Sequence, residues 1–329
     1  MTSKSDASQV WLLTKRALRS LKGQRKKGAQ IVSDVSPGVA DDLLRDGALA
    51  DVFPVAVRAV KTGDVETLTR LLREHPTLAN ARALRGRTLL FHLCDWPGHY
   101  PREAETGQAL IRAGADVNAR AGDEDAGETA LQWAASCDDS VLAELLIDEG
   151  TPVDGLGDDR RPLAQAIWYE CGQVAETLVR RGATLDLELT AGMGRTERLS
   201  SFFDAGGKLL PSAGRHHPPV NAPVLAETPS DELLEQALVY AVLGGSVEAA
   251  AYLLDRGANI NAQPSGFDGR GTPLHWAASR RSVRVVELLV ERGADLSATD
   301  PAYGATPLGW AEHFKREEII ELLKSLGAQ

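Results

Sequence analysis

The sequence predicts an all-α fold of stacked helix pairs, and three observations predict it. Glycines recur at Gly114, Gly150, Gly182, Gly206, Gly257, Gly293 and Gly327, each closing a leucine-rich helical stretch where a left-handed terminator is needed. Thr272-Pro273 reads as an N-cap followed by proline at the first helical position, where a missing N–H costs nothing. Ala277 and Ala278 are small enough to let a neighbouring helix approach closely. A chain of 329 residues accommodates two globular domains or one long array, and the repetition decides for the array.

Taken in order, the elements form eight helix pairs. The first starts near Pro54 and ends at Pro76 of "LLREHPTLANAR", and the seven glycines close the others. In the second pair, "RTLLFHLCDWPGHYPREAETGQALIRAGADVNAR", roughly five extra residues separate the helices, and Pro97 and Pro101 imply a protruding loop there. The fifth pair, Gly182 to Gly206, is too short for a β-finger, and its first helix, "LELTAGMG", is weakened by Gly192 and Gly194. Residues 206–230, "GGKLLPSAGRHHPPVNAPVLAETPS", have prolines and no helical period. They read as an exposed connector between a first sub-array, residues 54–205, and a second, residues 231–329.

The stretch "GTPLHWAASRRSVRVVELLVERGADLSATD", residues 271–300, resembles the ankyrin repeat: Gly-x-Thr-Pro-Leu-His, then Ala-Ala, then leucines, then Gly-Ala-Asp, at a period of about 33 residues. The resemblance covers residues 54–329 and implies an ankyrin-repeat solenoid with short β-hairpin fingers. It also implies a structural hydrogen-bonding role for His275, but the resemblance names no partner.

Residues 1–53 lie outside the resemblance. Within residues 1–30, eight lysines and arginines, among them Lys15, Arg16, Arg19, Lys22, Arg25, Lys26 and Lys27, face only Asp6, a net of +7. The whole chain carries −10, so the remainder carries −17. Val10, Leu13, Ala17 and Leu21 recur at helical spacing, which makes this segment a cationic amphipathic helix. An anionic membrane, a nucleic acid or an acidic protein would attract it, and so would the acidic array itself. Residues 31–53 read as a helical cap over the first repeat.

Chemistry is hard to place. There is no dinucleotide fingerprint, phosphate-binding loop or nucleophile elbow, so no cofactor is expected. His92, Cys94 and His99, with His216 and His217 in the connector, do not align as a metal set, because Cys94 falls in a small buried slot. The sequence assigns no catalytic set. The acid–base groups it offers near the first helices are His92, Asp95 and Glu170. Three cysteines without CxxC spacing, no apolar run of membrane-spanning length and no signal-peptide order lead to the expectation of a cytoplasmic chain.

The residue after the histidine position forms a column across the repeats: Arg58, His92, Trp133, Gln165, Leu189, Tyr240, Trp276 and Trp310. Half are aromatic in a protein with 5% aromatics. One turn on, the same face carries Trp96, Trp168, Tyr169, Arg280 and His313. The expectation is therefore a concave groove in which Trp96, Trp133, Trp168, Tyr169, Tyr240, Trp276, Arg280, Trp310 and His313 hold a protein or peptide. The competing readings are a small-molecule or catalytic pocket around residues 165–240, and docking to an anionic surface by the basic N-terminal helix.

Overall fold

The computed structural model describes residues 49–122, 127–219, 229–267 and 269–329. The basic segment and nearly all of the cap expected over residues 31–53 lie outside them. Eight successive helix pairs run through the described residues. The chain divides into two compact units: residues up to 158 with 171–182, and residues 159–170 with 183–329.

The first unit contains α1 (Phe53–Thr62), α2 (Val65–Glu74), α3 (Leu89–Cys94), α4 (Glu103–Arg112), α5 (Ala130–Ser136), α6 (Ser140–Asp148) and α8 (Gly172–Arg180). The short first helices α1, α3 and α5 pack in sequence, and α2, α4, α6 and α8 pack in a second row. Capping starts several of them. Asp64 accepts from Thr67 N at 3.0 Å, Asp139 accepts from Leu142 N at 2.9 Å, and Thr129 forms a capping box with Gln132. The core is the leucine set of the pattern: Leu68, Leu71, Leu89, Leu93, Leu110, Leu131, Leu142, Leu146 and Leu178. One finger has strand pairing, β1 (Arg120–Ala121) with β2 (Glu128–Thr129), in the register Arg120 to Thr129. Asn80 ties one repeat to the next, donating to Gly114 O at 2.7 Å and accepting from Asp116 N at 2.8 Å.

The inserted loop, residues 95–102, does not protrude. The Pro101 carbonyl lies against Gly63, which has a left-handed φ of 68° and no room for a Cβ. Gly98 packs on the Cys137 side chain, and His99 Nε2 lies 3.2 Å from Cys137 O. The loop folds down because its neighbours offer a bare glycine and an open carbonyl.

The second unit contains α7 (Arg161–Trp168), α9 (Leu187–Gly192), α10 (Thr196–Leu199), α11 (Ser230–Leu243), α12 (Val247–Asp255), α13 (Pro273–Ser279), α14 (Val283–Glu291), α15 (Pro307–His313) and α16 (Glu317–Ser325). As expected, the fifth pair is stunted: α9 has six residues and α10 four. It is nevertheless well packed. α9 lies so close to the end of α11 that a Cβ on Gly244 would overlap the Gly192 carbonyl oxygen. Leu187, Ala191, Leu199, Phe202, Phe203, Leu233, Ala237, Leu238, Ala249 and Leu253 share one core cluster. Residues 187–203 thus belong to the same core as residues 233–253, and the division expected at the connector does not separate them.

Residues 216–219 of the connector are buried. Glu188 accepts from His217 N at 2.9 Å and pairs with His216 Nδ1 at 2.6 Å. Asp186 pairs with His217 Nε2 at 2.8 Å, and the Tyr240 hydroxyl donates to His217 O. The stretch is held by acceptors rather than by secondary structure, which is why it has no period. His275 has the structural role the resemblance implies. Its Nδ1 accepts from Thr272 N at 3.1 Å, so Nε2 carries the proton and donates to Ala305 O at 3.0 Å.

Candidate functional site

Most of the aromatic residues expected to line a groove are interior. α13 and α15 both start with Thr-Pro, which places Trp276 and Trp310 at equivalent positions four residues into each helix. Their rings meet edge to face with centroids 4.9 Å apart, and Trp276 meets Trp168, at the end of α7, at 5.0 Å. Phe267, from the finger before α13, adds to the row at 6.3 Å from Trp168 and 6.0 Å from Trp276. The indole N–H groups are satisfied internally: Trp276 Nε1 donates to Gly271 O at 3.1 Å and Trp310 Nε1 to Asp300 Oδ2 at 2.9 Å.

This corrects the expectation of open anchors. Trp168, Trp276 and Trp310 are 5%, 5% and 7% exposed, and Tyr240 is fully buried. The physical reason is that neighbouring first helices bring the column against itself, so the rings form a second interior layer beside the leucine and alanine set. Arg280 is also committed, with Nη1 3.1 Å from Glu170 Oε1 and its guanidinium 5.7 Å from the Trp168 ring centroid. In the first unit Trp133 is half-buried. It donates to Glu128 Oε2 at 2.9 Å, stacks edge-on against Phe91 at 5.1 Å and lies under Arg87. Trp96 is half-buried as well, and its backbone N–H is taken by Asp95 Oδ1 at 2.9 Å. Tyr169 is half-buried and His313 exposed.

The acid–base candidates are not poised for catalysis. His92 is buried beside Phe53, and burial, aided by the charges of Arg87 and Lys61, pulls its pKa down to about 3. Asp95 is paired with Arg87 at 3.0 Å. Glu170 belongs to the other unit and faces Arg280. The His216 and Glu188 pair has acid–base chemistry but is sealed: burial opposes the imidazolium, the Glu188 carboxylate and its hydrogen bond outweigh burial, and the pKa is raised.

Asp300 and Tyr303 lie outside the helical column that the sequence marks. Asp300, 1% exposed, accepts from the N–H groups of Ala302, Tyr303 and Ala305 at 2.9, 2.6 and 3.1 Å, and from the Trp310 indole. One carboxylate therefore clamps the whole finger 300–305 onto the aromatic row. Tyr303 emerges from that finger 51% exposed. The signal was "TDPAYGATP", an aspartate opening a proline–glycine turn, whose carboxylate suits successive backbone donors.

Paired short helices, finger clamps between repeats and a capped Thr-Pro-Leu-His motif define the class: an all-α repeat protein. The chain belongs to the ankyrin repeat family. It matches the family described as ankyrin repeats (3 copies) over residues 101–188 and 265–329, and that described as ankyrin repeats (many copies) over 238–290. Among curated proteins it is similar to palmitoyltransferase AKR1 of Lachancea kluyveri, 38% identical over 63 residues, which are 19% of this chain and 8% of that protein. It is also similar to the putative E3 ubiquitin-protein ligase XBAT34 of Arabidopsis thaliana, 50% identical over 48 residues, 15% of this chain and 12% of the relative. The matched segments span about a tenth of these relatives. Among solved structures, the human ASB11 ankyrin repeat domain matches at 20% identity and a TM-score of 0.39, covering 82% of this chain and 96% of that one. Ankyrin repeats are generally protein–protein interaction modules. No described helix is long and apolar enough to cross a membrane.

Proposed function

We propose that this chain is a protein-binding module whose contact surface, in the unit holding residues 183–329, is the clamped finger 300–305 with its neighbouring rim. Tyr303 is the leading contact. The exposed His313, half-buried Phe314 and half-buried Tyr169 supply the remainder, and the Trp168, Trp276 and Trp310 row is a stiff floor rather than the anchor. The observation that carries this reading is the Asp300 clamp. It holds an exposed tyrosine on a backbone fixed in advance, so binding loses little conformational entropy there. The reading is tested by capturing the partner with the full chain and with Tyr303→Ala plus His313→Ala. Capture falls by roughly thirtyfold for a loss of about 2 kcal/mol, with the melting temperature unchanged. Undiminished capture by the double variant rejects it.

Among the described residues around 165–240, Asp186, Glu188, His216, His217 and Tyr240 are buried and bonded to one another, which lends no support to a pocket formed by them. The charge of residues 1–30 supports a second contact, with an anionic surface. Deleting them removes salt-sensitive binding to phosphatidylserine vesicles or to duplex DNA, and the two probes separate lipid from nucleic acid.

A further inference from the structure

The inserted loop of the second repeat brings three ligating side chains together. His99 lies in the loop, Glu103 opens α4, and Asp139 caps α6. One ligand atom from each lies within 4.8 Å of the other two. Asp139 is fully buried. Its Oδ1 accepts from Leu142 N, but its Oδ2 has no hydrogen-bond partner, and neither has the buried Oε2 of Glu103. Two buried carboxylate oxygens without donors, facing each other, are costly unless something positive sits between them.

We propose that His99, Glu103 and Asp139 bind a divalent first-row cation of the zinc type, which clips the inserted loop to α4 of its own repeat and to α6 of the next. One imidazole nitrogen and two carboxylate oxygens suit zinc, which binds these donors at about 2.0–2.2 Å and keeps a fourth position for water. Calcium requires about six to eight oxygens and does not fit this set. A small inward movement closes the shell. Asp139 is fixed by its capping bond, whereas His99 is exposed and Glu103 half-buried, so the two movable ligands close on the fixed one. With its Nε2–H donated to Cys137 O at 3.2 Å, the neutral His99 ring keeps a lone pair on Nδ1, the form in which imidazole binds a cation.

The apo site competes with protons. Burial first, and then the Asp139 carboxylate, push Glu103 up to about 7, against a smaller opposing effect of His99. Because the ligands must be deprotonated to bind, the affinity for the cation rises with pH.

The test uses the full chain and zinc alone. Isothermal titration at pH 7.5 is expected to give one zinc equivalent that is lost at pH 5.5, with a melting temperature that rises with zinc. His99→Ala and Glu103→Gln each weaken that equivalent at least ~10-fold. Asp139→Asn does the same while keeping an N-cap residue. His99 is exposed, so His99→Ala costs the zinc-free fold no more than its one hydrogen bond to Cys137 O, and the loss of zinc uptake is read on a folded chain. Absence of zinc uptake by the wild type overturns the proposal, as does equal uptake by His99→Ala and Glu103→Gln.

Discussion

Replacing Trp276 by alanine separates an interior ring from a groove anchor. The side chain is 5% exposed, touches Trp168, Trp310 and Phe267, and satisfies the Gly271 carbonyl through its indole N–H. Truncating a buried tryptophan costs about 3–5 kcal/mol, cavity included. For a unit of this size each kcal/mol lowers the melting temperature by about 2–4 °C, so a fall of roughly 10 °C is expected. Trp276→Phe keeps most of the ring contacts but strands the Gly271 carbonyl, and it costs about 1–2 kcal/mol. The assay is thermal melting followed by far-ultraviolet circular dichroism, with partner capture measured on the same samples. A Trp276→Ala chain that melts within a degree or two of wild type but loses capture refutes the interior assignment and restores the ring as an anchor.

The remaining predictions concern titration and close packing. His92 is held neutral with its pKa depressed to about 3, so its contribution to stability is complete above about 6.5 and is lost as pH falls toward 3, by a few kcal/mol at about 1.36 per unit. His92→Leu flattens the acid limb of a stability–pH curve, and an unchanged limb contradicts the assignment. His216 behaves oppositely. Its raised pKa gives stability that is full below about 6.5 and declines as pH climbs through the folded value, and Glu188→Gln abolishes that decline in urea melts taken from pH 6 to 9. Gly244→Ala must push α11 away from the Gly192 carbonyl and destabilises by about 3 kcal/mol, read as a lower urea midpoint. A midpoint equal to wild type shows that the two backbones do not meet.

Local signals in the chain are enough to specify the repeat unit. Thr-Pro starts, paired alanines, leucine rows and terminal glycines act within one helix or one turn, where local backbone chemistry decides, and the eight pairs appear where those signals place them. The sequence also marked the places where the pattern breaks: the insertion between α3 and α4, the short fifth pair and the proline-rich stretch after it. What it could not decide was what covers each face. Helical spacing puts Trp276 and Trp310 in one column, but the same spacing describes a buried ladder and an open groove, and only the packing of α13 against α15 distinguishes them. His216 and His217 look exposed because their partners, Glu188 and Asp186, lie a repeat away in the chain. His99, Glu103 and Asp139 come from two different repeats and meet only because Gly63 and Cys137 draw the inserted loop inward. Burial and ligand sets are properties of residues distant in sequence, so the tertiary structure alone decided them.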